Sequence, residues 1–270
     1  MLAVATALAV AALWVPIVTM AISSFNATEL GPAWGGLSTR WYARLFAEGV
    51  AHASGASTMP LVDAARGSLL VATAVTVISV GLGTPGAWLL HRRAGLFAAT
   101  LRATLGIPLV LPEILLGVSL LVTFRTLRLE LGFPTVVLAH VSFCLPFVLT
   151  AVEARLEALD PALEEAAMDL GATEARAFVS VILPAVMPAV LSSALLCFAL
   201  SLDELVVTYF TRGPGSPTLP VVMYGMARVG VSPYLHAAST ILVALTTALV
   251  LAGDRLGRRR SASATTDAVS

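Results

Sequence analysis

The sequence predicts an all-α, polytopic membrane protein with six membrane-spanning helices and both termini in the cytoplasm. Three observations lead there. Of the 270 residues, 58 % are hydrophobic and only 12 % charged, with a mean hydropathy of +0.91, well outside the range of a soluble domain. Six largely uncharged runs, near 2–22, 68–90, 104–124, 133–152, 185–210 and 232–253, each approach the ~20 residues a helix needs to cross a bilayer. The third observation is where the basic residues fall. All sixteen are arginines balanced by sixteen acids, so net charge points to neither nucleic acid nor an acidic substrate, and only placement informs.

The first run has no basic leader and is longer than a signal-peptide core, so it reads as an uncleaved span, with a true start upstream of Met1 left open. The segment 23–67 follows, where Trp34, Trp41, Tyr42 and the turn-rich ELGPAWGG suit an interfacial helix or a docking surface. After the second span come Arg92, Arg93 and Arg102. Arg155 and Arg176 lie in 153–183, and Arg255, Arg258, Arg259 and Arg260 follow the last span. These segments share one side of a six-span chain, which the positive-inside rule makes cytoplasmic. The other side holds Arg40, Arg44, Arg66, Arg125, Arg128, Arg212 and Arg228 over longer loops. Residues 1–258 thus form one membrane domain, and 259–270 a disordered tail.

Between the fourth and fifth spans lies the polar stretch EEAAMDLGATE, residues 164–174. Asp160 before Pro161 marks a helix start. Glu164 and Glu165 suit the positive end of the helix dipole. Gly171 suits a left-handed stop, and Thr173 can cap a second helix, ATEARAFVSVIL, that runs into Pro184. Ala166 and Ala167 leave one flank bare for close approach by another protein. Glu164, Glu165, Asp169 and Glu174 argue against lying on anionic headgroups.

EAAMDLG, nine further residues and then VILP resemble the EAA loop of ABC importer permeases, in which Glu165, Ala166, Ala167, Gly171, Leu183 and Pro184 match and Val181 replaces the usual isoleucine. The resemblance implies the type I ABC importer permease fold and a coupling helix, roughly Asp160 to Arg176, that seats in an ATP-binding subunit. Glu164, Glu165, Ala166, Ala167, Asp169, Gly171, Ala172, Leu183 and Pro184 would form this loop. SFN at 24–26 followed by TRWYARLF, HVSFCLPFV at 140–148, SLDELVVTYFTRGPGSPTLPVVMYGMARVGVSP at 201–233 and the AASTI beyond it resemble the C-type permease subunit of spermidine/putrescine transporters. His236 stands where that subfamily would have asparagine, and relatives of this architecture for ferric iron, sulfate, phosphonate or thiamine remain an alternative. The implied setting is a bacterial inner membrane, with a cassette ATPase dimer, a second homologous permease and an extracytoplasmic substrate-binding protein as partners. No GxxxxGK[ST] loop is present, so ATP and Mg would sit on the partner subunits and this chain would bind no cofactor.

A polycationic cargo should leave acids in the membrane. Glu113 follows Pro108 and Pro112 in the third span, roughly 16 Å up a helix counted from Arg102. An ionised carboxylate at that depth must face protein or water, as a substrate-path acid or a structurally paired one. Asp203 and Glu204 fall near the outer mouth of the fifth span, about 100° apart on its helix, as water-exposed helix-end residues or as acids that attract a cation. Tyr209 could add a cation-π contact. His52, His91, His140 and His236 read as structural or interfacial, and Cys144 and Cys197 as small packing residues. An intramembrane enzyme built on His140, Ser142 and Cys144 is the competing class. Its His and Ser at i and i+2 cannot face each other on a helix.

Overall fold

The computed structural model describes residues 2–28, 33–51, 61–93 and 95–267. His52 and part of the ELGPAWGG turn lie outside the described residues. The described chain is almost wholly helical, its one extended pairing being the isolated bridge between Asn26 and Leu37. In chain order the helices are α1 (Leu2–Ser23), α2 (Arg40–Ala51), α3 (Leu61–His91), α4 (Leu96–Val110), α5 (Glu113–Thr126), α6 (Phe133–Glu157), α7 (Ala162–Asp169), α8 (Glu174–Ala177), α9 (Leu183–Asp203), α10 (Val206–Thr211), α11 (Leu219–Val229) and α12 (Pro233–Asp267). A π-helical turn, Phe178–Ile182, joins α8 to α9.

Among the described residues, four helices are long and apolar enough to cross a bilayer: Leu61–His91, Phe133–Glu157, Glu174–Asp203 and Pro233–Arg255. Two of the expected spans are interrupted. The run at 104–124 is not one helix. It is α4 and α5, bent by 113° at Leu111 and Pro112, because Leu111 takes the extended backbone favoured before proline and Pro112 has no N–H to continue the ladder. The run at 185–210 stops at Asp203. Glu204 is extended, with ψ of 117°, and a new helix starts at Val206. At its other end this helix continues past Pro184 back to Glu174, since the π-turn carries the backbone over the proline that would otherwise break it. The helix α12 continues through Asp267, into the tail expected to be disordered.

The chain divides into two compact units. The first holds residues 1–68 and 216–245. Here Trp41 is only 3 % exposed and its Nε1 donates to the Asn26 carbonyl at 2.7 Å. Tyr42 hydroxyl meets Ser24 Oγ at 2.7 Å, whereas Trp34 is exposed. Two of the three aromatics expected at an interface therefore pin the α1–α2 turn instead. The second unit, residues 69–215 and 246–270, is built on α6 packed against α9. Val136, Val148 and Val152 of α6 meet Val186 and Val190 of α9 in its core. Cys144 and Cys197 are free and buried there, each thiol directed at the other's backbone carbonyl.

Candidate functional site

The polar loop is a helix, a glycine turn and a second helix. Asp160 Oδ1 accepts the Ala162 N–H at 2.9 Å, one of the donors left open at the start of α7. At the other end Gly171 has φ of +89°. Its N–H donates to Met168 O at 2.8 Å and that of Ala172 to Ala167 O at 3.1 Å, the paired bonds of a Schellman stop. Thr173 then caps α8 by accepting the Arg176 N–H. No residue of α7 is buried. Leu170, at the turn, is 91 % exposed, and Glu165, Ala166 and Asp169 face solvent beside it. Ala167 and Ala172 are half-buried. Leu183 and Pro184 do not belong to this surface. They open α9, where Leu183 packs against the core.

Glu164 points inward. Its carboxylate lies 3.4 Å from Arg92 Nε and accepts from Trp88 Nε1 at 3.4 Å. Arg92 also holds Glu174 at 3.0 and 3.1 Å and sits 5.0 Å from the Trp88 ring centre. Trp88 in turn stacks on Phe178 at 4.6 Å. The bond to Glu174 holds the Arg92 guanidinium above its usual pKa, and the same bond holds the Glu174 carboxyl below its own. A cleft of about 270 Å³, lined by Arg92, Glu164, Glu165 and Met168 among others, opens beside this cluster. Arg92 and Trp88 were not singled out from the sequence as site residues. Arg92 is 82 residues from Glu174 and Trp88 is 76 from Glu164, and no local pattern links positions so far apart.

Glu113 and Glu204 come together. Both line a cavity of about 180 Å³ with Pro108, Leu111, Phe143, Phe147 and Val207. Each acid sits at a helix interruption. Glu113 opens α5 after the bend, and Glu204 lies between α9 and α10, where its Oε1 caps Val207 N at 2.8 Å. A strand-like step at Glu204, not the helical 100°, turns it into the cavity while Asp203 stays outside it. Glu113 is exposed among Val110, Ile114 and Leu115, a setting that lipid would penalise by about 2.5–3.5 kcal/mol. Tyr209 lies elsewhere, edge-on to Phe210 at 5.8 Å and lining a cavity of about 800 Å³ with Arg125, Glu130 and Arg212.

His140 is 1 % exposed. Its Nδ1 meets Ser201 Oγ and its Nε2 meets Thr208 Oγ1, both at 2.8 Å. It therefore ties α6 to the segment on either side of the Glu204 break. Ser142 bonds the Ala139 carbonyl and Cys144 faces Cys197, so His140, Ser142 and Cys144 form no nucleophilic constellation.

A family model described as "Binding-protein-dependent transport system inner membrane component" matches residues 3–261. The chain is 38 % identical over 238 residues to the putrescine transport system permease protein PotI of Escherichia coli (strain K12), covering 86 % of this chain and 81 % of the relative. It is 35 % identical over 255 residues to the spermidine/putrescine transport system permease protein PotC of the same strain, covering 94 % and 93 %. In fold it is similar to a chain from a bacterial ABC transporter involved in the import of the acidic polysaccharide alginate. There the TM-score is 0.70 at 13 % identity, over 96 % of this chain and 95 % of that one.

Proposed function

Because the chain belongs to the binding-protein-dependent transport system inner membrane component family, we propose that it is the permease subunit of an ATP-driven importer of the polyamines putrescine and spermidine. Homology to PotI and PotC supports the substrate class. The observation that carries the proposal is the acidic cavity. Two carboxylates at broken helices, walled by Phe143 and Phe147, offer charge and aromatic faces to an alkyl ammonium that has shed part of its water. The helix interruptions suit such a site, since irregular backbone at membrane depth is tolerated where it lines a cavity.

In this reading the bent α4–α5 pair is one span and the apolar α1 another, which with the four long helices makes six, both termini lying in the cytoplasm of a bacterial inner membrane. The exposed turn around Leu170 seats in a cassette ATPase that binds ATP and Mg; this chain binds neither. A second, homologous permease covers the face bearing Glu113, and a binding protein delivers the polyamine from outside. ATPase closure shifts α7, and the spans open alternately to either side.

The complex reconstituted in vesicles tests this. Labelled putrescine should enter only with the ATPase subunit and ATP present. Glu113→Gln and Glu204→Gln should each raise the KM for uptake about 10-fold, the worth of one charge-assisted hydrogen bond. Uptake without the ATPase subunit, or an unchanged KM in both variants, would overturn the proposal.

A further inference from the structure

Arg92 follows the last turn of α3 and reaches two acids on two different helices: Glu164 of α7 at 3.4 Å and Glu174 of α8 at 3.0 Å. These acids flank the Gly171 turn. Nothing lies within 4 Å of a Cβ built on that glycine, and α7 buries no residue, so burial does little to fix the turn and α7, although Ala177 of α8 is buried. The end of α3 fixes the loop at three points. Arg92 holds both acids, Trp88 Nε1 donates to Glu164, and the Trp88 ring lies against Phe178 at the start of the π-turn. Arg93, the next residue, makes none of these contacts among the described residues. A planar guanidinium can bridge two carboxylates where an ammonium offers a single point charge.

We propose that Arg92 is a positioning residue that latches the coupling loop to the end of α3, so that ATPase closure moves α3 together with α7 and α8. This rests on the reading of α7 as the helix that faces the ATPase. The loop runs directly into α6 and α9, whereas α3 is not adjacent to it in the chain and otherwise meets those helices through apolar packing in the core. The latch adds a polar tie from the loop itself to the end of α3, so a stroke arriving at α7 reaches a third long helix directly.

The test uses the whole transporter in vesicles, measuring putrescine uptake per ATP hydrolysed and co-purification of the ATPase subunit. Arg92→Ala should lower uptake per ATP about 10-fold, a typical coupling factor, with the ATPase subunit still bound, while Arg93→Ala leaves the ratio unchanged. Adding Glu164→Gln and Glu174→Gln to Arg92→Ala should cause no further loss, as groups acting through one contact are not additive. Should Arg92→Ala fail to insert, Arg92→Lys keeps the charge that sets topology but not the bridge, and should still lower the ratio. A wild-type ratio in Arg92→Ala or Arg92→Lys, an equal loss in Arg93→Ala, or additive losses would overturn the latch. Leu170→Asp separates the two ideas. If that variant retains the ATPase subunit in full, the docking role of the loop fails whatever Arg92 does.

Discussion

Substitutions at Gly171 should rank by backbone preference and not by size. With φ at +89° and nothing within 4 Å of an added Cβ, the first side-chain atom meets no neighbour, and the cost of alanine is conformational alone. For alanine the left-handed region costs about 1–2 kcal/mol, which lowers the population of the Schellman-stopped loop roughly 5- to 30-fold where the loop must hold that shape to dock. Asparagine visits this region by bonding its own backbone and should cost much less, as should aspartate, apart from its added charge. Valine, β-branched, should cost most. The assay is putrescine uptake in vesicles at matched levels of inserted protein. Activity should fall in the order Gly, Asn, Ala, Val. A Gly171→Asn variant as impaired as Gly171→Val would refute the reasoning, because it would mean that a partner surface, not the backbone, demands the missing side chain.

Two further predictions concern packing and pH. A Cβ on Gly117 would come within 2.8 Å of Phe210 Cδ2 and 3.4 Å of Val207 Cα, so Gly117→Ala should destabilise the α5–α10 contact by about 1–3 kcal/mol; thermal unfolding in detergent should show a lowered midpoint that Phe210→Ala on the same background partly restores. Arg92 holds the Glu174 carboxyl below its ordinary value of 4.5, so the pair is fully formed above that value and is lost only as pH falls through the depressed one. Titration of Glu174 should therefore leave uptake per ATP unchanged between about pH 6 and 8; a decline across that window abolished by Glu174→Gln would contradict the pairing.

The helix, glycine stop and second helix of the polar loop were legible in the sequence because their determinants are local. Asp160, Gly171 and Thr173 act on backbone groups within five residues of themselves, through caps and a left-handed stop that need no tertiary partner. Family membership was legible for the same reason, carried by motifs with short, fixed spacing. The acids at 113 and 204 stood out because charge in an apolar run is costly wherever the run folds. What they would meet did not. Counting about 1.5 Å per residue put Glu204 near the outer mouth and Glu113 roughly 16 Å up a single proline-kinked span, whereas the breaks at Pro112 and Glu204 set both beside one cavity. Proline 112 was visible, but the size and direction of the bend depend on what α6 and α10 pack against α5.

Composition and motif spacing by themselves determined that this chain is a helical membrane permease with a polar helix–glycine turn–helix loop, since hydropathy and capping are properties of neighbours in sequence. Only the tertiary structure decided that Glu164 turns inward to Arg92 instead of outward with Glu165, that His140 bridges Ser201 and Thr208, and that Tyr209 stands apart from the acids. The first two of those outcomes rest on contacts between residues 61 to 76 positions apart, where packing of whole helices against one another, and no local rule, chooses the partner.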